Sequence, residues 1–190
     1  MILYPTETIY GIGVNPFDES AMAELFELKG RDERKVSAWL VRNLEDLSYF
    51  GAMYEPAKKI AERFLPGQMT LVLPAKDTVP SDLQSDEGTI GLRISSDPLA
   101  KELIACFFEK YNAPLTCTSA NVSGMESESN PEKIISQFKA NRPSFSGFSE
   151  VIDGGERSGT PSTVVKVIGE EVTVLRDGHI PEEQIRNCVE

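Results

Sequence analysis

The sequence predicts a mixed α/β fold, and three observations carry that prediction. Helix-period runs and short apolar runs of strand length alternate along the chain, but too irregularly for a strict βαβ repeat. Helix starts and stops are punctuated by Asp, Asn, Pro and Gly at the positions where caps are needed. The last two strand-like runs, Thr163–Ile168 and Val172–Leu175, are joined by Gly169-Glu170-Glu171, a hairpin signal that adds an antiparallel pair to the sheet.

Tyr4 to Tyr10 is expected to carry the first strand and its exit turn, which would start the chain inside an element. Asp18 is placed to cap a helix through Met22, Leu25, Phe26 and Leu28, with Gly30 as its stop. Val36–Val41 reads as a strand. Pro56 opens a second helix that ends at Pro66-Gly67, and strands follow at Met69–Leu73 and Ile90–Ile94. Asp97-Pro98 starts a third helix, in which Leu99, Leu103, Ile104, Phe107, Phe108 and Tyr111 keep a 3.6-residue period. Pro114–Thr118 is the next strand, Asn130-Pro131 starts a helix through Ile134, Ile135 and Phe138, and Pro181 starts a last short one through Ile185 and Val189. There is no internal repeat, and Met125-Glu-Ser-Glu-Ser-Asn130 reads as a surface loop.

A length of 190 residues suits one compact domain, expected to span 1–190. With 40% hydrophobic and 26% charged residues, a disordered tail, a collagen-like rod and a membrane span are excluded. Lys plus Arg is 19 and Asp plus Glu is 30, so the formal charge is 19 − 30 = −11, which argues against a broad grip on nucleic acid or anionic lipid. Cys106, Cys117 and Cys188 are scattered and odd in number, so neither a disulfide framework nor a zinc site is suggested. Met1 runs into Ile-Leu-Tyr-Pro without a basic region, and the expected compartment is a reducing cytoplasm.

The chemistry has few carriers. There is no GxxxxGK[ST], and Gly11-Ile-Gly13 lacks the third glycine of GxGxxG. His179 is the one histidine and reads as a turn residue, which disfavours a Ser-His-Asp triad. Lys29-Gly-Arg31-Asp-Glu-Arg34-Lys35 places four cations in seven residues of an acidic chain. They suit either a solvated helix end, where they complement the dipole, or a phosphate site. Thr116-Cys-Thr-Ser119-Ala-Asn121-Val-Ser123-Gly124 follows an apolar strand with hydroxyls, an amide and a glycine. It is either an ordinary strand exit or a loop that offers donors to an anion or ribose. Pro161-Ser162-Thr163 and Arg176 add hydroxyls and a guanidinium at further strand ends, where open α/β sheets bind ligands.

Together these residues resemble the YrdC/TsaC family. Pro5-Thr-Glu-Thr-Ile-Tyr-Gly-Ile-Gly13 is similar to the PTETVYGLG signature, Lys29-Gly-Arg31 to the KxR element and Pro66-Gly-Gln-Met-Thr70 to PGxxT. Gly91-Leu-Arg93 resembles the G[LV]R strand, Ser119-Ala-Asn121 with Ser123-Gly124 the SANxSG loop, Pro161-Ser-Thr-Val164 the PSTV element and Leu175-Arg-Asp-Gly178 the LRxG close. Seven ordered motifs span Pro5 to Gly178. Three departures stand out: Asp32 follows the KxR arginine where the family usually has Pro, Val36-Ser37 and Leu40 stand where members often have Pro-Leu and then a His, and GLRxP becomes Gly91-Leu-Arg-Ile-Ser95.

The resemblance implies a single YrdC-like domain, a twisted mixed β-sheet with flanking helices around a concave cavity, without the C-terminal domain that longer relatives add. It implies synthesis of threonylcarbamoyl-adenylate from L-threonine, bicarbonate and ATP, with release of pyrophosphate. A threonylcarbamoyl-transferase partner would then modify tRNA at position 37. Lys29, Arg31, Ser119 and Asn121 would form the catalytic KxR–SxN set. Lys35, Thr89, Ser127 and Arg176, together with Arg31 and Ser119, would hold the nucleotide. Thr6 or Thr8, Arg93, Cys117 and Ser162 would line the threonine pocket, with Arg93 facing the carboxylate. No protein-held metal is implied, and Mg²⁺ is expected to arrive with ATP. Neither a membrane nor tight RNA binding is expected. Two readings remain beside this one: a non-catalytic nucleotide- or RNA-binding module of the same fold, and a carbamoyl-adenylate module from a hydrogenase-maturation protein.

Overall fold

The computed structural model describes residues 1–30 and 37–190. In chain order its elements are β1 (Ile2–Tyr4), β2 (Gly11–Gly13), α1 (Glu19–Lys29), β3 (Trp39–Leu40), α2 (Leu44–Phe50), α3 (Glu55–Phe64), β4 (Met69–Pro74), β5 (Thr89–Arg93) and α4 (Pro98–Tyr111). Then come β6 (Leu115–Thr116), β7 (Thr118–Ser119), α5 (Pro131–Asn141), β8 (Glu150–Val151), β9 (Thr163–Ile168), β10 (Glu171–Arg176) and α6 (Glu182–Val189). The predicted class holds, but the strands form two mixed sheets. One has four strands in the order β7-β2-β1-β8, and the other has six in the order β10-β9-β4-β5-β3-β6.

The caps fall where the sequence puts them. The Asp18 carboxylate accepts from the Ala21 N–H, and Gly30 closes α1 at φ 60°, a left-handed conformation that glycine adopts without steric cost. Asp97 caps α4 by accepting from Leu99 and Ala100, and Asn130 caps α5 by accepting from Lys133. Helix α2 is absent from the sequence reading because seven residues are too few for a clear period. Its signal is Asn43, which accepts from Asp46 N–H ahead of an acidic first turn.

Three apolar clusters fill the space around the sheets. The largest joins the six-stranded sheet to α2, α3 and α6 through Trp39, Phe50, Ile60, Leu71, Leu92 and Ile185. A second joins the four-stranded sheet to α1 and α5 through Leu3, Ile12, Leu25, Ile134 and Phe138. The third brings Tyr4 of one sheet and Leu40 and Leu115 of the other onto Ile104 and Phe107 of α4.

Three strand expectations are corrected. Tyr4 to Tyr10 is not a strand with its turn: β1 ends at Tyr4, and residues 5–10 are a connection leading into β2. Pro5 has no N–H for a ladder, and Thr6 bonds its neighbours in place of a partner strand. Pro114–Thr118 splits into two short strands. Leu115 and Thr116 pair with β3 of the six-stranded sheet, whereas Thr118 and Ser119 pair with β2 of the four-stranded one. Cys117 stands at the crossing, with its N–H donating to the Ala38 carbonyl at 2.6 Å. Thr116 secures it, since its hydroxyl accepts from the Val14 N–H at 2.9 Å. The Val36–Val41 strand reduces to Trp39–Leu40, and Val36 lies outside the described residues.

Asp97 does more than cap α4, because its second carboxylate oxygen accepts from Arg157 at 3.1 Å. Asp97→Ala therefore removes a cap and a half-buried ion pair, and stability should fall by about 1–2 kcal/mol for the cap alone. Asp97→Asn keeps the capping oxygen and should lose less. Urea unfolding of both variants checks this, and equal losses would refute the capping role.

Candidate functional site

A cavity of about 350 Å³ opens where the two sheets meet. Gly11, Thr118 and Ser119 line it from the four-stranded sheet, and Thr70, Thr89, Arg93 and Arg176 from the six-stranded one. The crossing residue Cys117 and the loop residues Thr6, Tyr10, Ser85 and Ser162 also line it. Seven of the predicted site residues thus meet in one place: Thr6, Thr89, Arg93, Cys117, Ser119, Ser162 and Arg176.

Arg93 is the most constrained of them. It is 5% exposed, and its Nη2 donates to Glu7 Oε1 at 2.8 Å and to Thr8 Oγ1 at 2.9 Å. Its Nε is buried without a hydrogen-bond partner. Burial alone would lower the Arg93 pKa, but Cys117, Glu7 and Tyr4 outweigh it and the net direction is up, so the guanidinium stays charged. Burial likewise pushes the Glu7 carboxyl up, yet the Arg93 charge and the Ser95 hydroxyl together hold it below its ordinary value. Thr8 does not itself line the cavity. The Thr6 hydroxyl gives its single proton to the Ile9 carbonyl at 2.6 Å, so Thr8 donates to Thr6 and accepts from Arg93.

A second guanidinium faces the same space. Arg176 Nε and Nη2 donate to the Ser162 carbonyl at 3.1 and 2.7 Å, and Nη2 also reaches Ser162 Oγ at 3.1 Å. Burial and the Arg93 charge both lower the Arg176 pKa, with Cys117 opposing them. The backbone around Ser162 is held close by Gly178, where an added Cβ would meet the backbone of Pro161, Ser162 and Thr163. That explains glycine at the end of Leu175-Arg-Asp-Gly178: the two strand ends approach too closely for a side chain.

Lys29 ends α1 and is buried, with its Nζ donating to the Ser119 carbonyl. Ser119 Oγ donates to Asn121 Oδ1 at 2.5 Å, while Asn121 Nδ2 donates to the Met125 carbonyl at 2.6 Å. Lys29, Ser119 and Asn121 are therefore joined in one hydrogen-bonded group. Thr89 is held by Ser85, their hydroxyls 2.7 Å apart. Ser127 lies exposed on the 125–129 loop and does not line the cavity. Arg31 and Lys35 lie outside the described residues. The sequence reading missed Glu7, Thr70, Ser85 and Tyr10. Glu7 and Thr70 sit inside quoted motifs, but only the fold shows which of their neighbours they meet. Among the described residues no group of three His, Cys, Asp or Glu could hold a metal ion.

A family model for the Sua5/YciO/YrdC domain, described as "Telomere recombination", matches residues 1–178. The chain belongs to this family. Threonylcarbamoyl-AMP synthase from Pyrococcus abyssi is 32% identical over 191 residues, which cover 100% of this chain and 53% of that protein. A putative threonylcarbamoyl-AMP synthase from Methanocaldococcus jannaschii is 31% identical over 189 residues, covering 99% and 84%. The crystal structure of Pyrococcus abyssi Sua5 complexed with L-threonine superposes with a TM-score of 0.84 at 32% identity, over 98% of this chain and 53% of that one. This chain thus spans about half the length of the Pyrococcus relative.

The Glu7–Arg93 pair yields a pH-dependent prediction. The folded Glu7 pKa lies below its unfolded value, so its stabilisation is complete above the unfolded carboxylate pKa of about 4.3 and is lost as pH falls through the folded pKa. Glu7→Gln leaves the buried Arg93 without its counter-charge and should cost about 3 kcal/mol or more at pH 7. The gap between variant and wild type should close as pH drops below the carboxylate range. Urea unfolding at pH 7 and pH 3.5 measures both, and a gap that is constant with pH would remove the ion pair from the account.

Proposed function

We propose that this chain is a threonylcarbamoyl-adenylate synthase, making threonylcarbamoyl-AMP and pyrophosphate from L-threonine, bicarbonate and ATP. The observation that carries the reading is a cavity holding two guanidiniums, one of them buried with an unpartnered Nε, beside a lysine-serine-asparagine group. Such a site suits a carboxylate next to a polyphosphate. The names and coverage of the relatives add to the case.

In the proposed reaction the carbamate formed on the threonine amine attacks the α-phosphorus of ATP. A P–O bond forms there, the bond to the β-phosphate oxygen breaks, and the electron pair leaves with pyrophosphate. An anion approaches a polyanion, so charge repulsion is a main obstacle. Fixed cations lower it at the moment charge builds on the leaving group. We assign Arg93 to the threonine carboxylate, with Ser162 and Thr6 or Thr8 beside it. Arg176 and Thr89 are assigned to the nucleotide, as is Ser127, although its loop lies outside the cavity wall. Lys29, Arg31, Lys35, Ser119 and Asn121 are assigned to the phosphates, with Mg²⁺ entering on the nucleotide. No nucleophilic side chain is needed, and a recessed cavity limits hydrolysis of the labile carbamate. In this reading the adenylate passes to a transferase that acts on tRNA. This chain, with a formal charge of −11, does not itself hold RNA tightly.

Pyrophosphate release should require ATP, threonine and bicarbonate together, each omitted in turn. Arg31→Ala should lose a charge-assisted contact of about 1.5–3 kcal/mol, which corresponds to roughly 10- to 100-fold in kcat/KM. Arg34→Ala, which matches no motif position, should retain activity. Full activity in Arg31→Ala would overturn the phosphate assignment. Release without threonine would overturn the substrate.

Threonine and serine share every polar group and differ by one methyl, so contacts of Arg93 and Ser162 cannot separate them. One methyl in an apolar niche is worth ~1–3 kcal/mol, which caps the preference at roughly 10- to 200-fold. Cys117 lines the cavity as a small, soft side chain and is the proposed wall of that niche. Serine should turn over slowly but measurably, and Cys117→Leu should harm threonine more than serine. Equal wild-type rates for the two amino acids would remove the niche, and an unchanged ratio in Cys117→Leu would remove Cys117 from it.

A further inference from the structure

Ser95 stands two residues beyond Arg93, at the position where GLRxP would carry proline. It is 2% exposed, and its hydroxyl both donates and accepts. Its Oγ donates to Glu7 Oε2 and accepts from the Asp97 N–H at 3.2 Å. The other Glu7 oxygen accepts from Arg93 Nη2 at 2.8 Å, and Thr8 takes the same nitrogen at 2.9 Å. Both Nη2 hydrogens are thus spent on the protein, whereas the buried Nε next to it has no partner.

We propose that Ser95 is a positioning residue. Through Glu7 it fixes the Arg93 guanidinium so that Nε, the donor the protein leaves unpartnered, is kept for the carboxylate of an amino-acid substrate. The proposal rests on the functional reading above for the identity of that substrate. It does not rest on it for the relay.

The physical case is one of constraint. A carboxylate beside a guanidinium has several in-plane and end-on arrangements of similar energy, and a free Glu7 could swing to engage Nε as well as Nη2. A Glu7 that did so would take the donor a substrate needs. The Ser95 hydroxyl removes that freedom by binding the second Glu7 oxygen. Ser95 is itself fixed, because its lone pair takes the backbone N–H of Asp97, the residue that caps α4. The direction of the carboxylate is therefore set by the start of a helix rather than by a mobile loop. Alanine at 95 would leave Glu7 charged and beside Arg93, but free to turn. Threonine would keep the hydroxyl.

Two measurements test this. In the apo protein, the Arg93 Nε–H resonance, assigned by its loss in Arg93→Lys, should be sharp and slow to exchange in the wild type and in Ser95→Thr. It should broaden in Ser95→Ala. An unchanged resonance in Ser95→Ala overturns the relay, whatever the protein binds. Calorimetric titration with L-threonine and with L-threoninamide, which lacks the carboxylate, provides the second readout. Ser95→Ala should weaken L-threonine binding roughly five- to tenfold and leave threoninamide within twofold, and Ser95→Thr should restore threonine. A merely structural role would weaken both ligands alike or would act only on thermal stability, and either result overturns the proposal. If the resonance responds but wild type binds no L-threonine, the relay stands, and both the substrate and the functional reading fall.

Discussion

Arg93 is a charge removed from water, and much of the site is arranged around meeting it. Burying a guanidinium costs several kcal/mol unless opposite charge and hydrogen bonds replace the solvent. The connection 5–10 supplies these replacements through Glu7 and Thr8. A strand could not do so, because successive side chains of a strand point to opposite faces, and here two neighbours reach one guanidinium. The connection therefore leaves the sheet after Tyr4, and its backbone needs other partners. Three successive carbonyls find them far along the chain. Thr6 O accepts from Arg157 Nε at 3.1 Å, Glu7 O from Gln68 Nε2 at 3.2 Å, and Thr8 O from the Gly159 N–H at 3.2 Å. These bonds satisfy the backbone carbonyls of an irregular segment beside a cavity, as a ladder would.

The same contacts couple the cavity to the fold. Arg157 binds Thr6 on one side and Asp97 on the other, and Asp97 caps α4. Helix α4 packs its Ile104 and Phe107 against Tyr4, Leu40 and Leu115, so it touches both sheets at their junction. At that junction the chain changes sheets within five residues. Thr116 ends a pairing with β3, Cys117 donates to Ala38, and Thr118 begins a pairing with β2. The crossing leaves Cys117, Thr118 and Ser119 on the cavity wall. Site and core are consequently one construction, in which loss of packing at α4 would reach Arg93 through Asp97 and Ser95.

Helix boundaries were legible because their signals are local. Asp18, Asp97 and Asn130 each accept from N–H groups two or three residues on, which a linear reading finds. The six-residue strands β4, β9 and β10 were legible because they are long enough to show a run. Of the two-residue strands, β3 and β6 fell within and β7 overlapped longer predicted runs whose bounds were wrong, and β8 was not read, since where such strands begin and end depends on distant partners. The division of the strands into two sheets was hidden for the same reason: nothing in Leu115–Ser119 distinguishes one continuous strand from a crossing. The candidate site was legible as a set of motifs, and the fold gathers seven of those residues around one cavity. What the motifs did not contain was the arrangement. Glu7 was in plain view, yet its role depends on Ser95, 88 positions away, whose hydroxyl it accepts.

The acidic composition and a cavity lined by two guanidiniums are compatible once distance and burial are considered. A formal charge of −11 belongs mostly to exposed carboxylates, whose fields fade over a Debye length of about 8 Å at physiological salt. Lys29 and Arg93 are buried, and Arg176 faces the same cavity. Charges in such places act on a ligand at contact distance, with little water between, where each is worth several times its value at the surface. The local potential is therefore set by the cations inside the cavity, against the sign of the whole chain. A surface with a surplus of carboxylates offers long nucleic acid few phosphate contacts, whereas a small anion that enters the cavity leaves that surface behind. Under the proposed function, charge sign would separate the two kinds of polyanion by size. A molecule that passed inside would meet Arg176 and the Glu7-paired Arg93, and one that stayed outside would meet a surplus of carboxylates.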